Sequence, residues 1–328
     1  MHVLILGAAG MIGRKLTQRL LKDGRIGASD ISRLTLHDVV APPMPSNPPF
    51  PVAASVSDFA QPGAAESLVA GRPDLIFHLA AIVSGEAEAD LDKGYRINLD
   101  GTRYLLDAIR TAGEGYRPRL VFTSSIAVFG APFPEAIGDE FFHTPLTSYG
   151  TQKAMSELML ADYSRRGFLD GVGIRLPTIC VRPGKPNKAA SGFFSGIIRE
   201  PLNGEEAVLP VPEDVRHWHA SPRSAVGFLV HAAALDTRAF GARRNLSMPG
   251  LSVTVGEQIA ALERVAGRHV VRRIRREPNA TIMQIVEGWP RNFGASQARS
   301  LGFVTAERTF DDIISIHIED ELNGKFAE

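Results

Sequence analysis

Short apolar runs alternate with helix-like apolar repeats along the first half of the chain. The run Val3–Leu6 is uninterrupted, which is typical of a strand buried on both faces of a parallel sheet. Leu16 and Leu20 follow at helical spacing, and Gly24 indicates where that helix ends. The same patterns predict strands over residues 33–38, 51–56, 73–81, 119–123 and 171–176, and helices over 59–71, 94–112, 148–166 and 224–234. Strands that alternate with helices in this way predict an α/β protein with a doubly wound parallel sheet.

Three glycines join the first strand to the first helix. Their lack of side chains lets a phosphate approach the backbone closely. The helix directs its free N–H groups and the positive end of its dipole at the same point. The sequence therefore predicts a dinucleotide pyrophosphate site in a Rossmann-type sheet, formed by Gly7, Gly10, Met11, Ile12 and Gly13.

An acidic residue ends the next predicted strand, at Asp38. In dinucleotide-binding proteins a carboxylate about 20 residues after the glycines binds the ribose hydroxyls. The residues that follow are Val39, Val40 and Ala41, so no cation stands where a 2′-phosphate would lie. The sequence therefore predicts NAD rather than NADP as the cofactor.

Further positions are candidate cofactor contacts. The fourth predicted strand ends in Leu79, Ala80 and Ala81, and small residues at this end let a cofactor lie against the backbone. Asp58 either reaches the adenine amino group or caps the helix that follows it. Asn98 lies near the middle of a predicted helix, which is an unfavourable position unless its amide has a buried partner.

The regular alternation ends after Pro177. We expect residues 1–178, joined by residues 222–240, to form the dinucleotide-binding domain. Residues 179–221 and 241–328 then form a smaller, discontinuous lobe that binds the substrate over the reactive end of the cofactor.

The composition is that of an ordinary globular protein, with 328 residues of which 44% are hydrophobic and 22% charged. Lys plus Arg and Asp plus Glu both number 36, so no net charge attracts nucleic acid or an acidic membrane. No apolar run is long enough to span a membrane, and the chain starts with a strand rather than a signal peptide. We expect a cytoplasmic protein. The single cysteine, Cys180, excludes an internal disulfide and is expected to be a buried apolar residue.

Two side chains of the helix predicted over residues 148–166 can act on a hydroxyl group. Tyr149 and Lys153 are four residues apart and share one face of that helix. A free phenol has a pKa of about 10 and is a poor base at neutral pH, but a nearby ammonium favours the phenolate. Lys153 can also donate to a cofactor ribose. Ser125, at the end of the fifth strand, can hold the substrate oxygen beside the Tyr149 hydroxyl, so we expect proton removal coupled to hydride transfer.

These motifs make the chain resemble the extended short-chain dehydrogenase/reductase family over nearly its whole length. The matching residues are Gly7–Gly13, Asp38, Asp58, His78–Ala81, Asn98–Thr102, Thr123–Ser125, Tyr149–Lys153 and Leu301–Phe303. The resemblance implies a catalytic set of Ser125, Tyr149 and Lys153, and nicotinamide contacts in the segment 175–178. Within that segment, Pro177 is the expected cofactor contact and Thr178 the expected substrate contact. It also implies a homodimer in which the helix carrying Tyr149 packs against its copy.

The chain departs from the nucleotide-sugar enzymes of that family. Their dehydratases carry an Asp-Glu pair after the catalytic serine or threonine, where this chain has Ile126 and Ala127. Many epimerases carry an asparagine where this chain has Thr178. In Arg182–Lys188 and Arg199–Leu202 the chain is more similar to the branch that acts on small sugar acids. This similarity implies NAD-dependent oxidation of the C2 hydroxyl of D-erythronate to 2-oxo-tetronate, with NAD-dependent nucleotide-sugar 4-epimerisation as the alternative.

Several polar residues are candidate substrate contacts. Arginine pairs with carboxylates through two parallel hydrogen bonds, so Arg182 and Arg223 are candidates for binding the acid group, unless they are surface charges. Ser84 either contacts a substrate hydroxyl or carboxylate, or is a plain loop serine.

Two other patterns have both a functional and a structural interpretation. His217 and His219 flank Trp218, which places both on one face of a strand, but no carboxylate stands at matching spacing and we expect no metal site. The run 270–276 contains four arginines and predicts a charged edge strand, with a nucleic-acid patch as the alternative.

Overall fold

The computed structural model describes residues 1–184 and 190–327, so residues 185–189 of the basic segment after Arg182 lie outside the described residues. The strands are β1 (His2–Leu6), β2 (Arg25–Ile26), β3 (Ser29–Asp30), β4 (Arg33–Asp38), β5 (Val52–Val56), β6 (Leu75–His78), β7 (Arg119–Ser125), β8 (Asp170–Leu176), β9 (Thr178–Ile179), β10 (Ala207–Leu209), β11 (Arg216–Ala220), β12 (Asn245–Ser247), β13 (Leu251–Thr254) and β14 (Ile274–Arg276).

The α-helices are α1 (Met11–Asp23), α2 (Ala64–Val69), α3 (Ser84–Ala89), α4 (Leu91–Gly94), α5 (Gly101–Thr111), α6 (Ser148–Arg165), α7 (Gly192–Leu202), α8 (Pro222–Ala234), α9 (Val255–Ala266), α10 (Arg268–Val271), α11 (Ala280–Glu287), α12 (Ser296–Ser300) and α13 (Phe310–Glu321). Tyr95–Asp100 forms a π-helical segment, and Ile126–Val128 and Thr237–Phe240 form 3₁₀ turns.

The central sheet of the described chain has the strand order β12-β8-β7-β6-β1-β4-β5. The pairs β5–β4, β4–β1, β1–β6 and β6–β7 are all parallel. The chain leaves β1 towards one edge of the sheet and later returns to add strands on its other side. This order confirms the predicted doubly wound sheet. The carboxyl end of β1 lies where the order reverses, which is where such sheets bind ligands.

The uninterrupted apolar run of β1 is explained by burial on both faces of the sheet. Leu4 and Leu6 belong to an apolar cluster with residues of α2 and α5. Val3 and Ile5 point to the opposite face and are completely buried as well. An alternating polar pattern would leave polar groups without water on one of these faces.

Three predicted elements were wrong in part. The helix predicted over 59–71 is limited to α2, because Gly63 takes a left-handed conformation with φ of 81° immediately before it. The helix predicted over 94–112 consists of a π-helical segment followed by α5. The strand predicted over 270–276 starts as α10, and only its last residues form β14, which pairs in parallel with β10.

The chain forms two compact units. Unit 1 comprises Met1–Val128, Thr147–Arg175 and Phe228–Leu246, and unit 2 comprises Phe129–Leu146, Leu176–Gly227 and Ser247–Glu328. Residues 129–146 thus group with unit 2, although the sequence places them in the cofactor domain. Ile137 forms an isolated bridge with Phe293, and its N–H donates to the Asn292 carbonyl at 2.9 Å. That pairing joins distant parts of the chain, which no local sequence pattern signals.

Unit 2 has its own core. Its apolar cluster includes Phe194 and Ile197 of α7, Leu262 of α9 and Ile313 of α13. A three-stranded sheet of order β13-β11-β9 lies in the same unit. In the part of the chain that the structure describes, no helix has both the length and the apolar character needed to cross a bilayer.

Candidate active site

The glycine turn between β1 and α1 is held against the neighbouring strands of unit 1. The N–H groups of Gly7 and Ala8 both donate to the His37 carbonyl, at 2.9 and 3.0 Å. Gly7 has a φ of 88°, and a Cβ there would lie 2.8 Å from the Ala80 nitrogen. A Cβ on Gly13 would lie only 2.2 Å from the Gly7 carbonyl oxygen. Both positions therefore require glycine.

The start of α1 is suited to an anion. Gly10 precedes the helix in an extended conformation, and no side chain caps the first turn. The first N–H groups of a helix have no partner within the helix, and its dipole is positive at this end. Met11, Ile12 and Gly13 provide these first groups. The turn thus has the space, the donors and the sign of charge that the pyrophosphate of NAD requires.

The carboxylate of Asp38 is fixed beside the glycine turn. One of its oxygens accepts from the Ala9 N–H at 2.9 Å and the other from the Val39 N–H at 2.7 Å. The neighbouring Val39 and Val40 are exposed apolar residues. A carboxylate held here can accept hydrogen bonds from ribose hydroxyls and repels a 2′-phosphate, which fits NAD.

We expect Asp38→Ala to weaken NAD binding by about 10-fold, because charge-assisted hydrogen bonds to the ribose are lost. The affinity for NADP is expected to fall less or to rise, since the repulsion of the 2′-phosphate also disappears. Fluorescence titrations of the variant with both cofactors measure this. An unchanged ratio of the NAD and NADP affinities would argue against ribose recognition by Asp38.

Asp58 and Asn98 have different surroundings. Asp58 accepts from the Ala60 N–H at 3.0 Å and binds Arg96 at 2.6 Å, but it does not cap a helix, because α2 begins only at Ala64. Asn98 is buried in the π-helical segment. Its Oδ1 accepts from the Ile82 N–H at 2.9 Å, and its Nδ2 donates to Gln152 Oε1 at 2.8 Å. The amide has the buried partner that its mid-helix position demanded, and it fixes the chain just after Leu79, Ala80 and Ala81.

The start of α6, next to Tyr149, closely approaches the 3₁₀ turn that follows Ser125 at the end of β7. A Cβ on Gly150 would lie 2.1 Å from the Ala127 carbonyl oxygen, so only glycine permits this approach. Thr147 caps α6 by accepting from the Gly150 N–H at 3.0 Å. Ser125 is the last residue of β7, and its Oγ accepts from the Ala127 N–H at 3.1 Å.

Lys153 lies one helical turn after Tyr149 and is buried. Its Nζ donates to the Thr123 carbonyl at 2.8 Å and lies 5.8 Å from the centre of the Tyr149 ring. Burial disfavours the ammonium and lowers the pKa of Lys153 to about 7. The negative charge of Glu157 acts in the opposite direction and raises this pKa. A cation confined this close to a phenol favours the phenolate. These contacts place the Lys153 nitrogen near the Tyr149 ring, and the role of Tyr149 as a base stays a prediction.

The candidate substrate residues lie in both units. In unit 1, Ser84 is the first residue of α3. In unit 2, Thr178 lies on β9 with its Oγ1 2.7 Å from His217 Nε2. Arg182 donates to the Ile179 carbonyl and to Ser191 Oγ, both at 3.0 Å.

Arg223 has other partners than those of Arg182. Its guanidinium lies against α13, where it binds Asp320 at 2.6 Å and Glu319 at 2.9 Å. Two carboxylates therefore already neutralise it, and the two arginines share no partner among these contacts. Arg182 is the candidate that we retain for a substrate carboxylate.

His217 and His219 are buried on the same side of β11, with ring centres 5.3 Å apart. Burial lowers the pKa of His217 to about 4, and it also lowers the pKa of His219. Both rings are therefore neutral at physiological pH. His219 Nε2 pairs with Gln258 rather than with a carboxylate. Over residues 1–184 and 190–327 no group of three or more His, Cys, Asp or Glu side chains gathers as a metal site would require.

Sequence reasoning missed Glu157 and placed Arg175 in the segment of expected nicotinamide contacts, whereas the structure pairs the two. Glu157 and Arg175 form an ion pair directly behind Lys153, with Arg175 Nη2 2.7 Å from Glu157 Oε2. Glu157 follows Lys153 by one helical turn. The available signal was an acidic residue on the helix face that carries Tyr149 and Lys153.

Comparison with known proteins gives consistent results. Residues 3–220 match the family described as the NAD dependent epimerase/dehydratase family. D-erythronate dehydrogenase from Cupriavidus necator is 46% identical over 98% of this chain and 98% of its own length. D-erythronate dehydrogenase from Haemophilus influenzae is 42% identical over 98% of this chain and 100% of its own length.

A solved structure is closer in sequence than these relatives. The nucleoside-diphosphate-sugar epimerase from Agrobacterium tumefaciens is 67% identical, with a TM-score of 0.96 over 99% of this chain and 95% of its own. The fold is therefore that of NAD-dependent enzymes of this type.

Proposed function

Because the chain belongs to the NAD dependent epimerase/dehydratase family, we propose that it oxidises the C2 hydroxyl of a short sugar acid, D-erythronate, to 2-oxo-tetronate. The enzyme is an NAD-dependent oxidoreductase acting on CH–OH groups, as its family and its dehydrogenase relatives indicate. The choice of substrate is supported by two relatives named D-erythronate dehydrogenase, which match nearly the full length of the chain.

The observation that carries the proposed chemistry is the buried Lys153 ammonium beside the Tyr149 ring. We infer that Lys153 stabilises Tyr149 as a phenolate, and that this phenolate takes the proton of the substrate hydroxyl and becomes a neutral phenol. Ser125 holds the substrate oxygen so that proton and hydride leave from one fixed geometry. NAD, when bound, supplies the acceptor of the hydride.

The cofactor and substrate contacts follow from these roles. The residues that would hold NAD are Gly7, Gly10, Met11, Ile12, Gly13, Asp38, Asp58, Leu79, Ala80, Ala81, Asn98, Tyr149, Lys153 and Pro177. Arg182 is the proposed partner of the substrate carboxylate, because a guanidinium can form two parallel hydrogen bonds to it. Ser84 and Thr178 are the proposed contacts for the remaining hydroxyls.

One observation favours a second candidate. The structure from Agrobacterium tumefaciens is titled a nucleoside-diphosphate-sugar epimerase and is 67% identical to this chain. An epimerase uses the same tyrosine and lysine but returns its hydride, so it accumulates no NADH. The curated relatives and the replacement of the epimerase asparagine by Thr178 favour the dehydrogenase.

Purified enzyme mixed with NAD and D-erythronate is expected to accumulate NADH in proportion to the acid consumed. Absorbance at the NADH band measures the reaction, and mass spectrometry of the product identifies a 2-oxo acid. The same enzyme incubated with a nucleotide sugar tests the alternative, 4-epimerisation. No NADH with any four- to six-carbon sugar acid, together with interconversion of sugar epimers, would replace the proposal by 4-epimerisation.

We also propose a homodimer in which α6 packs against its copy. Leu158 on this helix is 62% exposed, which is a high exposure for a large apolar side chain. The proposal rests on that side chain and on the resemblance to the extended family.

A further inference from the structure

Tyr149, Lys153 and Glu157 occupy every fourth position of α6, so they lie along one face of the helix. Lys153 is 2% exposed and Glu157 is fully buried. A buried carboxylate is costly unless other groups replace its water shell. The contacts of Glu157 therefore indicate which groups its charge stabilises.

Glu157 and Lys153 together hold two consecutive residues of β7. Lys153 Nζ donates to the Thr123 carbonyl at 2.8 Å, and the Ser124 hydroxyl donates to Glu157 Oε1. Ser125, the proposed substrate contact, is the next residue of the strand. The orientation of the end of β7 thus depends on two adjacent turns of α6.

Arg175 of β8 fixes the carboxylate from the other side. Its Nε lies 2.9 and 3.1 Å from the two oxygens of Glu157, and its Nη2 donates to Oε2 at 2.7 Å. The side chain of Arg175 is only 9% exposed. This planar, two-oxygen pairing fixes both the position and the charge of Glu157.

Among the described residues, Lys153, Arg175 and Glu157 form a buried group of two cations and one anion. Without Glu157, the positive charges of Lys153 and Arg175 would repel each other in a medium of low polarity. His78 of β6 is a further titratable group near Lys153, and it is neutral because burial lowers its pKa to about 3. The aromatic rings of Phe122 and Tyr149 lie 4.6 and 5.8 Å from Lys153 Nζ. Glu157 is thus the anion that favours the charged lysine.

We propose that Glu157 and Arg175 are positioning residues for the oxidation. Glu157 keeps Lys153 protonated and holds Ser124, while Arg175 holds Glu157 in place and limits the strength of its charge. The inference rests on the proposed role of Lys153 beside Tyr149. It predicts that loss of Glu157 and loss of Arg175 shift the pH at which Lys153 loses its proton in opposite directions. Loss of either partner of a purely structural ion pair would instead cause the same damage.

The first test is the pH dependence of kcat/KM for NADH formation from D-erythronate. We expect kcat/KM to decline at high pH, where Lys153 loses its proton. In Glu157→Gln the midpoint of this decline is expected to move to lower pH by about one unit or more. In Arg175→Gln the same decline is expected to move up, because the charge of Glu157 is then no longer shared. Glu86→Gln, which breaks the exposed pair between Glu86 and Lys93, is the matched control and leaves the profile unchanged.

The second test does not depend on the substrate. Lysine labelled with ¹³C at Cε is titrated by NMR in each variant, and the Lys153 signal is identified by its loss in Lys153→Met. Opposite displacements of its titration midpoint in Glu157→Gln and Arg175→Gln support the proposal. Displacements in one direction, or none, overturn it. Should Glu157→Gln not fold, an unchanged or lowered midpoint in Arg175→Gln alone overturns it. Opposite displacements in an enzyme that forms no NADH from sugar acids overturn the proposed function and leave the electrostatic inference supported.

Discussion

Replacing Tyr149 with phenylalanine is expected to lower kcat for oxidation of D-erythronate by about 10³-fold, because the substrate proton loses its acceptor. The affinity for NAD is expected to change by less than about threefold. Lys153 remains held by the Thr123 carbonyl, and the glycine turn is remote in sequence from the change. Steady-state NADH formation gives kcat, and a fluorescence titration gives the NAD dissociation constant.

A second tyrosine of α6 provides the matched control. Tyr163 lies on the same helix and donates to Asp107 at 2.8 Å. Tyr163→Phe removes an equivalent hydroxyl and one hydrogen bond, and is expected to leave kcat unchanged. If Tyr149→Phe retained about a tenth or more of the kcat, another group would be the base.

The parts of the fold that sequence predicted well are those fixed by neighbouring residues. The apolar run of β1, the glycine turn and the spacing of Leu16 and Leu20 all lie within the first residues of the chain. Gly24 ends α1 as predicted, with a left-handed φ of 66° and its N–H donating to the Leu20 carbonyl. Local chemistry sufficed here because each choice depends only on residues a few positions away.

The contacts that sequence could not predict depend on how distant elements align. The pairing of Glu157 with Arg175 requires a particular register between α6 and β8, which neither element specifies alone. Arg223 was a candidate for a substrate carboxylate, but its partner Asp320 is 97 residues away along the chain. Residue type shows that an arginine can bind a carboxylate, but only the folded chain determines which one.

The glycine turn between β1 and α1 carries the proposed contacts with the cofactor pyrophosphate. We expect Gly13→Ala to weaken NAD binding by about 10²-fold and to lower the free energy of unfolding by about 1–3 kcal/mol. The new Cβ would lie 2.2 Å from the Gly7 oxygen and 2.8 Å from the Ala8 Cα. Both are backbone atoms of the turn, so no flexible side chain can yield. Either α1 moves away from β1 or the turn changes shape, and in both cases the N–H donors are displaced.

Isothermal titration with NAD and chemical denaturation measure the two effects. Gly227→Ala is the matched control, because Gly227 lies within α8 and its new Cβ would meet nothing within 4 Å. That variant is expected to be about 0.5–1 kcal/mol more stable, since alanine loses less backbone freedom in a helix. Loss of stability in Gly13→Ala with unchanged NAD affinity would show that the glycine serves packing alone. Loss of both would show that the close contact of α1 with the turn also shapes the phosphate site.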